Sequence, residues 1–339
     1  MTHIHIIGAG VVGLTAAVEL ASRGVKVTVH ERAAGVGPHH CSWYAGGMLA
    51  PWCERENAEP LIATLGEESL AWWSKHVSVA HTGTLVVAQG RDLIDLQRFA
   101  TRTSRFQKIG TERLAELEPD LAGRFHQALY FETEAMLDPR NALQALLDKL
   151  RSLAAKVSFN DETSAAQLRA QGADWVIDCT GLAARSTLTT LRGVKGDMLL
   201  LRTRDIRLQR PVRMLHPRVP VYIVPRADNI FMVGATMIES DDAAHISTRS
   251  MMELLNAAYA LHPAFGEAEI VEIGTQVRPA FADNLPRIVK DERLLYINGC
   301  YRHGYLTAPA LALRAAEVVL HQAHFPEVMD EHPRQRQSA

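Results

Sequence analysis

The chain has 339 residues, 36 Lys+Arg against 38 Asp+Glu, a net charge of -2, and 47% apolar and 22% charged residues. This excludes a disordered chain and supplies a core for about two domains without disulfide or metal staples. The near-neutral balance excludes the basic stripe of a nucleic-acid-binding protein, so the expected partners are small molecules.

The opening MTHIHIIGAGVVGLTAAVEL lacks the cationic start and cleavage site of a signal peptide. No run reaches the roughly 18 apolar residues of a membrane span. Cys41, Cys53, Cys179 and Cys300 are widely spaced and form no C-x-x-C pair, so free thiols in a cytoplasmic protein are expected.

In chain order, His3–Ile7 reads as a strand, Val11, Val12, Leu14, Ala16, Ala17, Leu20 and Ala21 recur at helical spacing, and Lys26–Glu31 alternates as a second strand. This is a βαβ unit with parallel strands. Helical pattern follows over Glu59–His76. Strand patterns then occupy Thr82–Gln89, Ala128–Thr133, Lys195–Thr203, Val221–Pro225, Ile230–Ala235 and Val271–Arg278, with a hairpin turn at Arg226–Asn229. Pro139–Leu153 reads as a helix started by proline, and Ala173–Cys179 as a buried strand belonging with the first unit.

The expected fold is α/β plus α+β: a Rossmann-like domain with a parallel sheet from residues 1–75, 137–194 and 282–325, and an inserted substrate domain with a mainly antiparallel sheet from 76–136 and 195–281. Residues 326–339 are expected to form a polar, disordered tail.

Gly8, Gly10 and Gly13 stand between the first strand and the first helix. Gly8 permits the tight turn, Gly10 lets backbone approach a pyrophosphate, Gly13 lets the helix pack on the sheet, and the helix N-terminus offers N–H groups to an anion. Glu31 ends the second strand, placed to accept from a ribose hydroxyl and to disfavour a 2′-phosphate. The motif leaves FAD and NAD open.

Further segments narrow the choice: Ser42–Pro51 with Ala45, Gly46, Gly47 and Met48; Asp178-Cys-Thr180-Gly181; Val221–Arg226; Gly234–Met237; Gly274–Pro279; and Asn298–Pro309 with Gly299, Arg302 and Gly304. In this order they resemble the amino-acid-oxidising flavoproteins of the D-amino-acid oxidase superfamily, most nearly the glycine oxidases of bacterial thiamine biosynthesis, from residue 4 to about 320. The resemblance implies non-covalent FAD, with its diphosphate on Gly8, Gly10, Val11, Val12 and Gly13, its ribose on Glu31, and its isoalloxazine near Ala45, Gly46, Gly47, Met48, Gly299, Arg302, His303, Gly304, Tyr305 and Leu306. Arg32, Ser42, Val157, Thr180 and Gly181 complete the implied cofactor contacts. A glycine oxidase-like homo-oligomer using O2 is implied. The implied reaction passes a hydride from the α-carbon of glycine, or of a small D- or N-methyl amino acid, to flavin N5. It yields an imine or glyoxylate, ammonia and H2O2. The alternative is a D-amino-acid or secondary-amine dehydrogenase with a different electron acceptor.

A guanidinium answers a carboxylate with two parallel hydrogen bonds. Arg278 closes an apolar strand, an awkward place for a permanent charge without a partner, and resembles the family's carboxylate-binding arginine. Arg302 resembles the second polar group beside the flavin, and Tyr222 the tyrosine whose hydroxyl touches the same carboxylate. Met48 and Met237 match pocket-lining positions that would narrow the space for a side chain. His39-His40-Cys41 lacks ligand spacing and an evident carboxylate, so no metal site is expected. Trp72-Trp73 is expected to be packing or a subunit contact, and His321 and His324 to be ordinary surface groups.

Overall fold

A computed structural model describes residues 2–216 and 220–331. Strand β1 (His3–Ile7), helix α1 (Val11–Ser22) and strand β2 (Lys26–Glu31) form the anticipated unit, with β1 and β2 parallel and Ile4 opposite Val27. Residues 27–31 of β2 are all buried, as in a strand covered on both faces. Helix α1 stops at Arg23-Gly24, where Gly24 takes a positive φ of 79° and Val25 N–H returns to the Leu20 carbonyl.

The unit lies in a seven-stranded sheet ordered Met329–Glu331, Arg287–Asp291, Leu294–Asn298, Trp175–Asp178, β1, β2, Lys156–Phe159. Trp175–Asp178 pairs parallel with β1, joining distant segments into one sheet. Helix α1, Pro60–His76, Pro139–Ser152 and the long helix Gly304–His321 share one core with this sheet. Leu14, Val18 and Leu20 of α1 are fully buried there, each contributing about 1.5–3 kcal/mol of burial. Trp72 and Trp73 are packing residues: Trp72 donates to Glu19 and Trp73 to the Tyr305 carbonyl.

Two expectations need correction. Arg287–Asp291 and Leu294–Asn298 form an antiparallel hairpin within the otherwise parallel-rich sheet, turning through Glu292 at φ 54° with no glycine to signal it. The tail does not begin at Pro326, because Met329–Glu331 pairs with Arg287–Asp291 at the sheet edge. Residues 332–339, including Arg334 and Arg336, lie outside the described residues.

The second sheet has nine strands and is mainly antiparallel. Near one edge its longest pairing joins β3 (Arg192–Arg202) to β6 (Glu269–Ala280), with β5 (Ile230–Gly234) on the other side of β3 and β4 (Val221–Pro225) beside β5. The Arg226–Asn229 turn connects β4 and β5 with Asp228 and Asn229 at positive φ. Val212–Leu215, unassigned from sequence, pairs parallel with Thr84–Ala88. One face packs under helix Thr248–Leu261; the other collects Cys53, Tyr222, Met198 and Met232, where the short helix α2 (Pro51–Glu54) arrives. Among the described residues no helix is long and apolar enough to cross a membrane.

Candidate active site

A cavity of about 840 Å³ runs from the carboxyl ends of β1 and β2 to the second sheet, lined by residues of both. At the β1 end the backbone does most of the work. Gly8 has a φ of 99°, and a Cβ there would lie 2.9 Å from the Cys179 carbonyl oxygen, so only glycine makes this turn without strain. A Cβ on Gly13 would lie 2.0 Å from the Gly8 oxygen; Gly13 lies outside the cavity lining and seats the helix on the turn. Gly10, Val11 and Val12 line the cavity, and Ser42 Oγ accepts the Val11 N–H at 3.1 Å. Ser42 therefore acts as a borrowed cap for a helix whose own N-cap residue, Gly10, has no side chain to offer.

Glu31 is buried and lines the cavity. Its carboxylate accepts from Ala9 N–H at 2.8 Å, Ala33 N–H at 3.0 Å and His40 Nε2 at 2.9 Å. Burial alone would push its pKa up, but these hydrogen bonds outweigh it and hold the group at about 2. The His40 contact corrects one expectation: Glu31 is the carboxylate that the histidine pair lacks in sequence, and Glu31, His39 and His40 bring ligand-type atoms within 4.8 Å of one another. Val157 also departs from its expected place; it pairs with Val29 and packs on the core without reaching the cavity.

Arg32, Ala45, Gly46, Gly47, Met48, Thr180, Gly181, Gly299, Gly304 and Leu306 all line the cavity. Gly47, at φ 72°, is explained by protein atoms: a Cβ would strike the Leu137 carbonyl oxygen at 2.2 Å. At Gly46 a Cβ would meet Met48 Sδ at 2.4 Å, whereas Gly304 opens freely, its nearest atom Val11 Cγ1 at 3.5 Å. Arg226 braces this loop through the Gly46 and Leu137 carbonyls. Tyr305 spends its hydroxyl on the Ser42 and Pro139 carbonyls and stacks on Trp73, so its side chain is structural.

At the far end, Arg278 reaches from β6 and lays its guanidinium on Gly196, where a Cβ would lie 2.1 Å from Nη2. Nη1 donates to the Thr236 carbonyl at 3.1 Å. Among the described residues no carboxylate comes within ion-pair distance of it. Nearby Asp197 is occupied by the hydroxyls of Thr275 at 2.8 Å and Thr236 at 3.1 Å. Burial, with Arg302 adding to it, brings the Arg278 pKa down to about 10.

Tyr222 and Arg302 are placed differently from the expectation. The Tyr222 hydroxyl donates to Glu54 Oε1 at 2.8 Å and lies 3.3 Å from Arg213 Nη1. Arg302 donates through Nη2 to Glu54 Oε1 at 2.9 Å and through Nη1 to Met237 Sδ at 3.2 Å. His303 Nε2 lies 3.0 Å from Glu54 Oε2. Thus Glu54, absent from the sequence-derived set, is the hub of this end, with both oxygens occupied. Burial pushes its pKa up, but Arg302, His303 and Arg213 hold it well below the ordinary value. Burial lowers the pKa of His303, whose Nδ1 is enclosed without a partner. Met48 lines the interior, while Met237 sits at the rim and is 45% exposed.

Helix α2 delivers Glu54. Its first N–H groups, from Trp52 and Cys53, donate to Glu134 Oε1 at 2.9 and 2.7 Å, and burial pushes the pKa of Glu134 up to about 8. Arg213 was legible by the logic that found Arg278, a permanent charge in the apolar run Val212-Arg-Met-Leu215. Glu54 had only the signal of lying three residues after Pro51, the end of the Ser42–Pro51 segment.

Residues 3–318 match the family model described as FAD dependent oxidoreductase. This chain is an FAD-dependent oxidoreductase. The oxidoreductase is 52% identical over 328 residues, 96% of this chain and 98% of the relative, to a Rhizobium etli protein named as a thiamine biosynthesis oxidoreductase, ThiO. It is 26% identical to glycine oxidase of Geobacillus kaustophilus, covering 94% of each chain. The crystal structure of glycine oxidase from that organism superposes with a TM-score of 0.80 at 24% identity, covering 96% of each chain, and shares the fold. The oxidoreductase is of the amino-acid-oxidase type.

The cavity fits FAD on its own evidence. A turn that only glycine makes without strain and a helix N-terminus lined by Gly10, Val11 and Val12 suit a diphosphate, ionised Glu31 suits a ribose, and the enclosed, unpartnered His303 Nδ1 beside freely open Gly304 is polar provision for a ring.

Proposed function

We propose that this oxidoreductase oxidises glycine, or another small primary or secondary amino acid, to its imine, which water converts to the corresponding 2-oxo acid and free amine (glyoxylate and ammonia from glycine), that O2 takes the two electrons and becomes H2O2, and that the reaction serves thiazole formation in thiamine biosynthesis. The names of the Rhizobium and Geobacillus relatives support this reading. The observation that carries it is Arg278: a cavity-lining guanidinium with no carboxylate beside it among the described residues. Such a group is completed by a substrate carboxylate.

FAD, held without a covalent bond, supplies the acceptor for the α-hydrogen as hydride. Arg278 fixes the carboxylate and thereby the direction of the α-carbon, and orientation is the main contribution of the protein. Tyr222 and Arg302 act through Glu54, which fixes their positions beside that anchor. Met48 and the rim residue Met237 limit the side chain admitted.

The substrate amine must be neutral, since its lone pair becomes the imine bond, and no side-chain base is then required. The expected kcat/KM rises with pH through the substrate amine's pKa, while Arg278 stays charged throughout. A flat profile would contradict the scheme.

The test is H2O2 release by the yellow protein across glycine, sarcosine, D-alanine, D-proline and larger D-amino acids. Preference for the smallest amines supports the reading. Flavin bleaching without peroxide would assign a dehydrogenase, and silence in both signals would remove amine oxidation altogether.

A further inference from the structure

Three arginines line the substrate end of the cavity: Arg213, Arg278 and Arg302. Two are already answered. Arg213 lies 2.9 Å from Glu56 Oε2 and 3.7 Å from Glu54 Oε1, and Arg302 lies 2.9 Å from the same Glu54 oxygen. Two cations therefore stand against two carboxylates, with His303 and Tyr222 as further donors to Glu54. Arg278 remains as the cation without a carboxylate at this end, among the described residues.

The other cavity-lining acids lie elsewhere. Glu31 is at the β2 end with Asp161, which pairs with the β2 residue His30, and its neighbour Glu162; Asp178 accepts from its own Thr180 turn, Asp241 pairs with Arg185 in an exposed position, and Asp291 ends the strand Arg287–Asp291. Glu54 is therefore the buried negative charge that a ligand on Arg278 meets when it extends toward Arg302.

We propose that Glu54 is a specificity-determining residue that restricts the site to amino acids with one carboxylate and rejects dicarboxylic amines such as D-aspartate. It does so in two ways. Its carboxylate occupies the Arg302 nitrogen that a second substrate carboxylate would need, and its charge repels a second anion brought into the same enclosed space. Both effects are electrostatic, so removing the charge while keeping the shape exposes them. The inference rests on Arg278 being the carboxylate anchor.

The test uses flavin-loaded protein and reads perturbation of the flavin absorbance by two non-oxidisable probes of equal size. These are malonate, as the dianion, and its half-amide malonamate, the corresponding monoanion. Wild-type protein is expected to bind malonate about tenfold or more weakly than malonamate. In Glu54→Gln the ratio should collapse to about one or invert, because Arg302 then faces the cavity without its carboxylate, while Glu54→Asp, which keeps the charge, should retain discrimination.

An unchanged ratio in Glu54→Gln, or a Glu54→Asp protein as permissive as Glu54→Gln, overturns the proposal. The wild-type protein decides alone if a variant fails to hold flavin, since equal binding of the two probes already overturns it. Arg278→Ala separates the two inferences. If malonamate binds that variant as tightly as it binds the wild type, the anchor reading fails; if it does not but the Glu54 ratios are wrong, only the specificity proposal fails.

Discussion

The two ends of the cavity are built by different means. At the β1 end, one stretch of 31 residues supplies the strand, the turn, the helix N-terminus and Glu31, and main-chain geometry does the recognising. At the far end, Glu54, Arg213, Tyr222, Arg278 and Arg302 come from five separate segments and meet through side chains. A site made of backbone tolerates side-chain change except where a glycine is obligatory. A site made of buried charges depends on every partner, because removing one leaves another uncompensated.

The sharpest test of this contrast is Arg278→Ala. It should lower kcat/KM by about 4 kcal/mol, about a thousandfold in steady-state assays, with FAD content unchanged, since Arg278 holds nothing at the other end. Loss of FAD from this variant would break the division between the ends.

Glu54→Ala comes next. It strips the partner from Arg302 and a share of that from Arg213, and should cost about 3 kcal/mol of stability in denaturant unfolding. Unchanged stability would mean that the network is not coupled as its geometry implies.

Gly8→Ala probes the backbone-built end. The φ of 99° and the approach of the Cys179 carbonyl should weaken FAD binding by about 2 kcal/mol, measured by flavin fluorescence. The mildest change is Glu31→Gln, with an expected loss of about tenfold in FAD affinity. The pH dependence has a definite sign. Because the folded-state pKa of Glu31 is depressed to about 2 from 4.5, its contribution is complete above the ordinary carboxylate range and is lost as pH falls toward 2. Acid titration of stability should show a loss in that window that is missing in the Gln variant.

The same contrast explains what could be read in advance. Gly8, Gly10, Gly13 and Glu31 were legible because their spacing is local and each glycine answers a backbone requirement. Arg278 was legible as a charge ending an apolar strand. That Tyr222 and Arg302 would spend their polar atoms on Glu54 was not legible, because the pairing joins positions 168 and 248 residues apart in sequence. The strand Met329–Glu331 was missed for a related reason. Its residues are mostly polar, and only pairing with Arg287–Asp291 makes them a strand. Val157 shows the converse, a residue implied by resemblance that the strand register turns toward the core.

The most direct test of the central claim is anaerobic addition of glycine to the yellow, FAD-loaded protein, followed by absorbance, beside the same addition to Arg278→Ala. The wild-type flavin should bleach while the variant, equally yellow at the start, stays oxidised. A wild-type flavin that glycine and the other small amines leave oxidised, or a variant that bleaches equally fast, would contradict the account.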